Sequence, residues 1–169
     1  MWFCVGTGME NHCKYGQFIY THTGNSLFVN LYTASQLAWK ERGITLRQET
    51  DFPYGESSKI TIVDGKSEFT LQVRYPGWVH PGEFKVSVNG KPVEIVTGPS
   101  SYLGISRKWK KGDVVNIDFP MHSSLRYLPN ETQYIAIMHG PIMLGMKTGT
   151  EDMASLIADD SRFGQYAGG

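Results

Sequence analysis

The clearest strand of this sequence reads Phe69-Thr70-Leu71-Gln72-Val73-Arg74-Tyr75. Its odd-numbered positions are apolar and its even-numbered positions are polar, which is the period of two that a β-strand imposes on its side chains. Such a strand has one buried and one solvent-facing side, as in an antiparallel sheet that packs on one face. The sequence therefore predicts at least one half-buried sheet.

Turn residues end this strand and recur along the chain on both sides of it. Pro76-Gly77 stops the strand, and Asn89-Gly90, the strongest two-residue hairpin signal, follows the β-rich run 84–88. On the N-terminal side, residues 23–26 and 41–43 separate further β-rich runs in the same way. Turn signals that recur about every 8–12 residues are typical of a β-sandwich.

These patterns predict about ten short strands and one helix. The helix is expected over residues 7–18, where Glu10 and Lys14 form an i,i+4 pair of the favourable order. We predict a mostly-β fold, an antiparallel β-sandwich of jelly-roll type, with a short N-terminal helix. Because isolated helices of about 12 residues are marginal in water, we expect this helix to lie against another part of the protein.

The charge balance argues against two classes of partner. Sixteen basic and sixteen acidic side chains give a formal net charge of zero over 169 residues. No long-range field therefore draws the chain to nucleic acid or to an anionic membrane, and no run of about 18 apolar residues is present. Cys4 and Cys13 are the only cysteines, so there is no disulfide framework. We expect no nucleic acid and no membrane as partners, and the compartment stays open.

Candidate metal ligands are few, and each has a simpler interpretation. Cys4 has no cysteine or histidine at ligand spacing, and a lone cysteine is more often a small core residue. His80, His122 and His139 are far apart in sequence, and each lies beside a proline, a glycine or an expected strand end. They could form a metal trio, although such histidines more often lie on the surface or anchor loops. Residue types alone assign no metal site.

Trp78 and Trp109 are the candidate carbohydrate-binding residues. Together with nearby tyrosines they could form a platform on which a sugar ring stacks, although the aromatic residues of a sandwich usually lie in its core or at an edge. Exposed, coplanar rings would favour the platform, and burial of both rings would exclude it. The acidic residues fall mostly at expected turns or on solvent-facing strand positions, so no carboxylate pair stands out as the acid and base of a glycosidase.

The order of several short motifs resembles that of a known family. The motifs are Trp2-Phe3-Cys4-Val5-Gly6-Thr7-Gly8-Met9-Glu10-Asn11-His12, Lys14-Tyr15-Gly16, Phe28-Val29-Asn30-Leu31-Tyr32, Arg74-Tyr75-Pro76-Gly77-Trp78, Val88-Asn89-Gly90-Lys91-Pro92, Trp109-Lys110-Lys111-Gly112-Asp113-Val114-Val115 and His139-Gly140-Pro141. This set resembles the β-L-arabinofuranosidase family, glycoside hydrolase family 127, from the junction of the catalytic barrel and the β-sandwich onward. It covers nearly the whole chain, and its order carries the resemblance more than any single motif does.

The resemblance implies a parent enzyme whose α/α barrel hydrolyses arabinofuranosides with retention. In that family a cysteine nucleophile lies within a zinc site of an upstream glutamate, an upstream cysteine and two adjacent cysteines, and another upstream glutamate is the acid/base. Cys4 matches the second adjacent cysteine and would be a zinc ligand, whereas the nucleophile position falls on Phe3, which can neither attack an anomeric carbon nor bind zinc. If the register shifts by one residue, Cys4 becomes the candidate nucleophile, activated by the metal.

The resemblance also implies a fragment of a larger protein. We expect residues 1–20 to end a catalytic barrel, 21–148 to form the sandwich, and 149–169 to be a tail or the start of a further domain. We predict no catalytic residue and no cofactor in the fragment, zinc in the full-length parent, and the missing N-terminal barrel as its partner. The alternatives are a stand-alone carbohydrate-binding module, or a structural module that self-associates through apolar surface near Trp2 and Phe18.

Overall fold

The structure of the protein is a computed structural model that describes residues 5–147. It contains one α-helix, twelve strands and a 3₁₀ turn, Lys40–Arg42, between the third and fourth strands. The elements are α1 (Val5–Phe18), β1 (Tyr20–Thr23), β2 (Ser26–Val29), β3 (Ser35–Trp39), β4 (Ile44–Thr50), β5 (Ser57–Tyr75), β6 (Lys85–Val88), β7 (Lys91–Pro92), β8 (Ser101–Lys110), β9 (Val114–Asp118), β10 (Ser123–Leu128), β11 (Glu131–His139) and β12 (Ile142–Leu144). Within residues 5–147, no helix is long and apolar enough to cross a membrane.

Strands β1 to β9 form two layers that share β5. The first layer has the order β1-β2-β5-β8. The second has the order β3-β4-β5-β9-β6-β7. Buried apolar side chains from both layers form one core, which confirms the predicted mostly-β sandwich with a short N-terminal helix. One pair differs from a purely antiparallel arrangement, because β2 runs parallel to β5.

β5 passes from the second layer to the first. Residues 57–65 pair with β4 and β9, and residues 66–75 pair with β8. The buried positions are even-numbered at the start of the strand and odd-numbered at its end. Thr45 pairs with Asp64 and Leu46 with Ile62, so Val63 is an extra residue, a β-bulge that changes the side facing the core. Our prediction of a strand only over 69–75 was therefore too short.

Gly65 lies beside this bulge, where β5 comes close to the β3–β4 turn of the second layer. Its φ is +89°, and a Cβ atom at this position would lie 2.0 Å from the carbonyl oxygen of Gly43. A side chain of any kind would overlap the backbone of the β3–β4 turn. The crossing of β5 between the layers therefore requires glycine.

The sandwich has a hydrophobic core of its own, rich in aromatic side chains. Trp109 is completely buried, and its indole Nε1 donates a hydrogen bond to the carbonyl oxygen of Phe69 at 3.1 Å. Tyr75 and Phe84 stack with their ring centroids 4.4 Å apart. Full burial of such a side chain stabilises the fold by roughly 1.5–3 kcal/mol.

The predicted Asn89-Gly90 hairpin is confirmed, with φ angles of 52° and 78° that suit a tight turn between β6 and β7. The Asn89 amide donates to Asp113 Oδ1 at 2.8 Å, and the backbone N–H of Lys110 donates to Asp113 Oδ2 at 3.0 Å. Burial acts to raise the pKa of Asp113, but these hydrogen bonds and the charge of Arg107 outweigh it and hold that pKa below its ordinary value. Asp113 thus joins the β6–β7 turn to the turn between β8 and β9.

Strands β10, β11 and β12 form a separate antiparallel sheet that follows the sandwich. We refer to it as the three-stranded sheet. Many of its large apolar side chains are exposed, as are residues 6–18 of α1. The expected packing partner of α1 and the division into residues 1–20, 21–148 and 149–169 stay predictions, and residues 149–169 lie outside the described part of the chain.

Candidate functional site

A cleft of about 280 Å³ lies where the sandwich meets the three-stranded sheet. Three segments form it: the loop after β5, the start of β10, and the turn between β11 and β12. Its chemically active lining comprises an indole, two imidazoles, a hydroxyl and a guanidinium, which belong to Trp78, His80, His122, Ser124 and Arg126. This mixture of ring surface, hydrogen-bond donors and metal-binding nitrogen suits a polar ligand or a metal ion.

Two of these histidines share one carboxylate. The Nε2 atom of His122 lies 2.6 Å from Glu83 Oε2, and the Nδ1 atom of His80 lies 4.0 Å from the same oxygen. This hydrogen bond places one proton between His122 Nε2 and Glu83 Oε2. The two imidazole rings stack, with centroids 4.4 Å apart and planes 10° from parallel.

Tight turns place His80 and Glu83 side by side. The backbone N–H of Glu83 donates to the carbonyl oxygen of His80 at 3.2 Å, and Gly82 takes a φ of +86° within this turn. The hydroxyl of the buried Tyr75 donates to the same carbonyl oxygen at 3.0 Å. The loop is therefore fixed to the core of the sandwich at the point where it presents its side chains.

His122 arrives from the other side of the cleft, in the segment that links β9 to β10. The backbone N–H of Gly140 donates to its carbonyl oxygen at 3.0 Å. The preceding residue, Met121, is buried, and its backbone N–H donates a hydrogen bond to Glu56 Oε1 at 3.1 Å. A Cβ atom at Gly140 would lie 2.8 Å from the Met121 side chain, so this glycine lets the three-stranded sheet approach the sandwich closely.

Trp78 lies at the cleft, half-buried against an aromatic group at the end of the core. Its ring is nearly parallel to that of Phe52 at 6.2 Å and meets Phe119 edge-on at 5.8 Å. Phe119 in turn stacks on Tyr32 at 4.5 Å. Part of the Trp78 ring is thus occupied by core packing, and the rest borders the cleft.

Trp109, the other residue of the predicted sugar platform, is 0% exposed. Its ring packs on Phe69 in the core, and Arg107 lies over it at 5.2 Å. A sugar ring could not reach it without opening the sandwich, so Trp78 and Trp109 do not form one exposed surface.

The remaining predicted site residues separate into two groups. Phe3 and Cys4 lie outside the described residues. Of the three histidines considered as a metal trio, the structure brings His80 and His122 together, whereas His139 lies 3.4 Å from Ser123 Oγ through Nδ1. Glu83 is the third member of the cluster, and the sequence analysis did not predict it. The available signal was its spacing of three residues from His80 across a Pro81-Gly82 turn.

Two family models match the chain. The model described as the middle domain of β-L-arabinofuranosidase, GH127, matches residues 26–121, and a domain of unknown function matches residues 124–169. The first match covers strands β2 to β9 of the sandwich, and the second begins in β10. His122 therefore lies between the two matched segments.

Solved structures of glycoside hydrolases resemble the chain. A GH127 β-arabinofuranosidase shares 33% identity with a TM-score of 0.64, covering 74% of this chain and 23% of its own. A second glycoside hydrolase shares 29% identity with a TM-score of 0.74, covering 84% of this chain and 25% of its own. A GH127 β-L-arabinofuranosidase from Geobacillus stearothermophilus T6 shares 30% identity with a TM-score of 0.70, covering 83% of this chain and 23% of its own.

The chain therefore spans about a quarter of the length of these structures. The comparison with curated proteins found no match.

Proposed function

The chain belongs to the β-L-arabinofuranosidase family, glycoside hydrolase family 127, and from this premise we propose that it is a non-catalytic β-sandwich part of a carbohydrate-active enzyme. In this proposal the sandwich packs against a catalytic barrel and supports one edge of its cleft. The observation that carries the proposal is the match of the middle-domain model to residues 26–121, which contain strands β2 to β9 of the sandwich.

The side-chain environment within the sandwich supports a scaffold role. Its aromatic residues pack on each other in the core, and Trp109 and Tyr75 use their polar atoms for hydrogen bonds to backbone carbonyls. Its buried carboxylate, Asp113, is held by Asn89, Lys110 and Arg107. A group that is committed to turns in this way stabilises the fold and is not free to transfer a proton to a substrate.

The zinc site that the family resemblance implies cannot be built from the described residues. A zinc site of that kind needs several thiolates, and the cysteine within residues 5–147 is Cys13, which is exposed on α1. We propose that zinc and the nucleophile belong to the full-length parent, with Cys4 as one ligand and Phe3 at the nucleophile position. No step of hydrolysis is assigned to residues 5–147.

Hydrolysis of nitrophenyl β-L-arabinofuranoside tests this proposal. We expect no nitrophenol release from the 169-residue chain. A longer chain that carries the catalytic barrel upstream should release nitrophenol if Cys4 is the nucleophile, and should stay silent if Phe3 stands at the nucleophile position. Thiolate-bound metal, detected after cobalt substitution by sulfur-to-metal charge-transfer absorption, should occur in the longer chain only. Turnover by the 169-residue chain would refute the scaffold role.

Substitutions at the two N-terminal positions separate the alternative registers. If Phe3 occupies the nucleophile position, Phe3→Cys in the longer chain should increase turnover, and Cys4→Ser should remove thiolate-bound metal. If Cys4 is the nucleophile, Cys4→Ser abolishes turnover and Phe3→Cys adds none. Inactivity of every variant on this substrate would point to a different sugar.

A further inference from the structure

We propose that His80, Glu83 and His122 form a binding site for a divalent transition-metal ion such as Zn²⁺. Each residue offers one ligand atom, and these atoms lie within 4.8 Å of one another. Two imidazoles and a carboxylate are a donor set that zinc takes in proteins. The site does not depend on the scaffold role proposed above. All three of its donor side chains belong to residues 5–147, so no residue of a catalytic barrel is needed to form it.

The distances are close to those that a bound ion needs. With zinc–nitrogen and zinc–oxygen bonds of about 2.0–2.2 Å, the ligand atoms of a tetrahedral site lie about 3.3–3.6 Å apart. Here the two contacts to Glu83 Oε2 are 2.6 Å from His122 Nε2 and 4.0 Å from His80 Nδ1. On binding, the distance from Glu83 to His122 must lengthen and the distance from Glu83 to His80 must shorten, each by less than about 1 Å. The stacked rings must also turn so that both lone pairs point at one ion.

The backbone on both sides of the site is already held in place. His80 accepts hydrogen bonds from Tyr75 and from the N–H of Glu83 through its carbonyl oxygen, and His122 accepts one from Gly140. Binding therefore needs only rotation of side chains, which are 61%, 40% and 41% exposed at His80, Glu83 and His122. The ion would replace the proton that His122 shares with Glu83.

The donor types decide which class of metal ion the site binds. Imidazole nitrogen suits zinc, copper and nickel, whereas magnesium and calcium prefer oxygen ligands alone. Three protein ligands leave one position of a tetrahedral ion open. Both imidazoles line the cleft together with Arg126, so water or an anionic group would fill that position from the cleft.

A metal at this position would also link two parts of the fold. His80 and Glu83 belong to the loop before β6 of the sandwich, whereas His122 leads into β10 of the three-stranded sheet. The ion would hold the two together across the cleft, at the boundary between the two matched family segments.

Titration calorimetry with zinc tests the site in the full 169-residue chain, carrying Cys4→Ser and Cys13→Ser so that thiols do not contribute. We expect one zinc per chain. Glu83→Gln and His122→Ala should each weaken binding by at least about 100-fold, since loss of outer partners alone costs about 10–100-fold. His139→Ala is the matched control, because this histidine lies on β11 of the three-stranded sheet and outside the cluster. This substitution should leave the zinc affinity unchanged.

A second measurement keeps the test independent of folding defects. Zinc added to the 169-residue chain in which His80, Glu83 and His122 are unchanged should shift the imidazole NMR signals of His80 and His122, and leave that of His139 in place. The absence of saturable zinc binding would overturn the proposal. So would equal affinity in the His122→Ala chain, or shifts confined to other histidines.

Discussion

The sandwich and the three-stranded sheet are both built from well-paired strands, but within residues 5–147 only the sandwich buries most of its large apolar side chains. Leu71 and Val73 on β5 are 0% exposed, whereas Ile135 and Ile137 on β11 are 53% and 46% exposed. The strands of both regions have continuous antiparallel registers over most of their length. Backbone pairing forms a sheet by itself, whereas burial requires a second layer facing it.

This difference predicts where the stability of the chain resides. In the sandwich, the side chains of two layers face each other across one core, so a lost group leaves a cavity. In the three-stranded sheet, a lost group is replaced by water. Substitutions of the same type should therefore lower the free energy of unfolding by a large amount in the sandwich and by a small amount in the three-stranded sheet.

The largest effect is expected from Trp109→Ala. Removing this fully buried ring leaves a large cavity and removes the hydrogen bond to the Phe69 carbonyl oxygen, and should lower the free energy of unfolding by about 3–5 kcal/mol. Trp78→Ala is the control, since its half-buried ring should cost only about 1–2 kcal/mol. Urea denaturation measures both. Equal losses would contradict the core that the structure assigns to Trp109.

Gly65→Ala tests the crossing of β5 between the two layers. The positive φ alone costs an alanine about 1–3 kcal/mol, and the overlap with the Gly43 carbonyl oxygen adds to this. Gly82→Ala is a matched control, because Gly82 has nearly the same φ but no atom within 4 Å of an added Cβ. The midpoint of urea denaturation should fall further for Gly65→Ala. Equal shifts would mean that β5 does not approach the β3–β4 turn closely at Gly65.

Local signals in the sequence were sufficient for the turns and for the existence of most of the short strands. Asn89-Gly90 predicted its hairpin because both residues accept a positive φ, and the alternation of residues 69–75 predicted a half-buried strand. The first half of β5 was missed, because Gly65 and the bulge at Val63 interrupt the alternation. The parallel pairing of β2 with β5 joins residues far apart in sequence, which no local pattern specifies.

The cleft was harder to predict for the same reason. His80 and Glu83 are neighbours on one turn, but His122 reaches them only because the chain returns to that turn after β9. A sequence pattern gives the ligand types, whereas their convergence depends on the packing of two sheets. The exposure of Trp78 and the burial of Trp109 likewise follow from tertiary packing, since both are tryptophans beside turn residues.

Asp113 gives the sandwich a dependence on pH. Its pKa is lower in the folded chain than in the unfolded chain, so its stabilising contribution is complete above the unfolded value of about 3.9. That contribution is lost as the pH falls through the lower, folded value. Asp113→Asn should reduce the free energy of unfolding by about 1–3 kcal/mol at pH 7.

The loss of stability in the Asp113→Asn chain should shrink as the pH falls from about 4 through the lower, folded pKa of Asp113, because the wild-type carboxyl becomes protonated first in the unfolded chain and then in the folded chain. Asp118→Asn, at an exposed position of the adjacent strand β9, is the control and should show little change at either pH. A deficit for Asp113→Asn that is independent of pH would assign its effect to packing and not to charge.

The smallest effect is expected from Ile137→Val in the three-stranded sheet. The same change at the fully buried Ile60 should lower the free energy of unfolding by about 0.5–1.5 kcal/mol, whereas at the half-exposed Ile137 it should stay within about 0.5 kcal/mol. Urea denaturation of both variants at several protein concentrations measures the difference. If Ile137→Val costs as much as Ile60→Val, something must cover the three-stranded sheet. A loss that disappears on dilution would identify the cover as a second copy of the chain, and a loss that persists would identify it as a part of the chain outside residues 5–147.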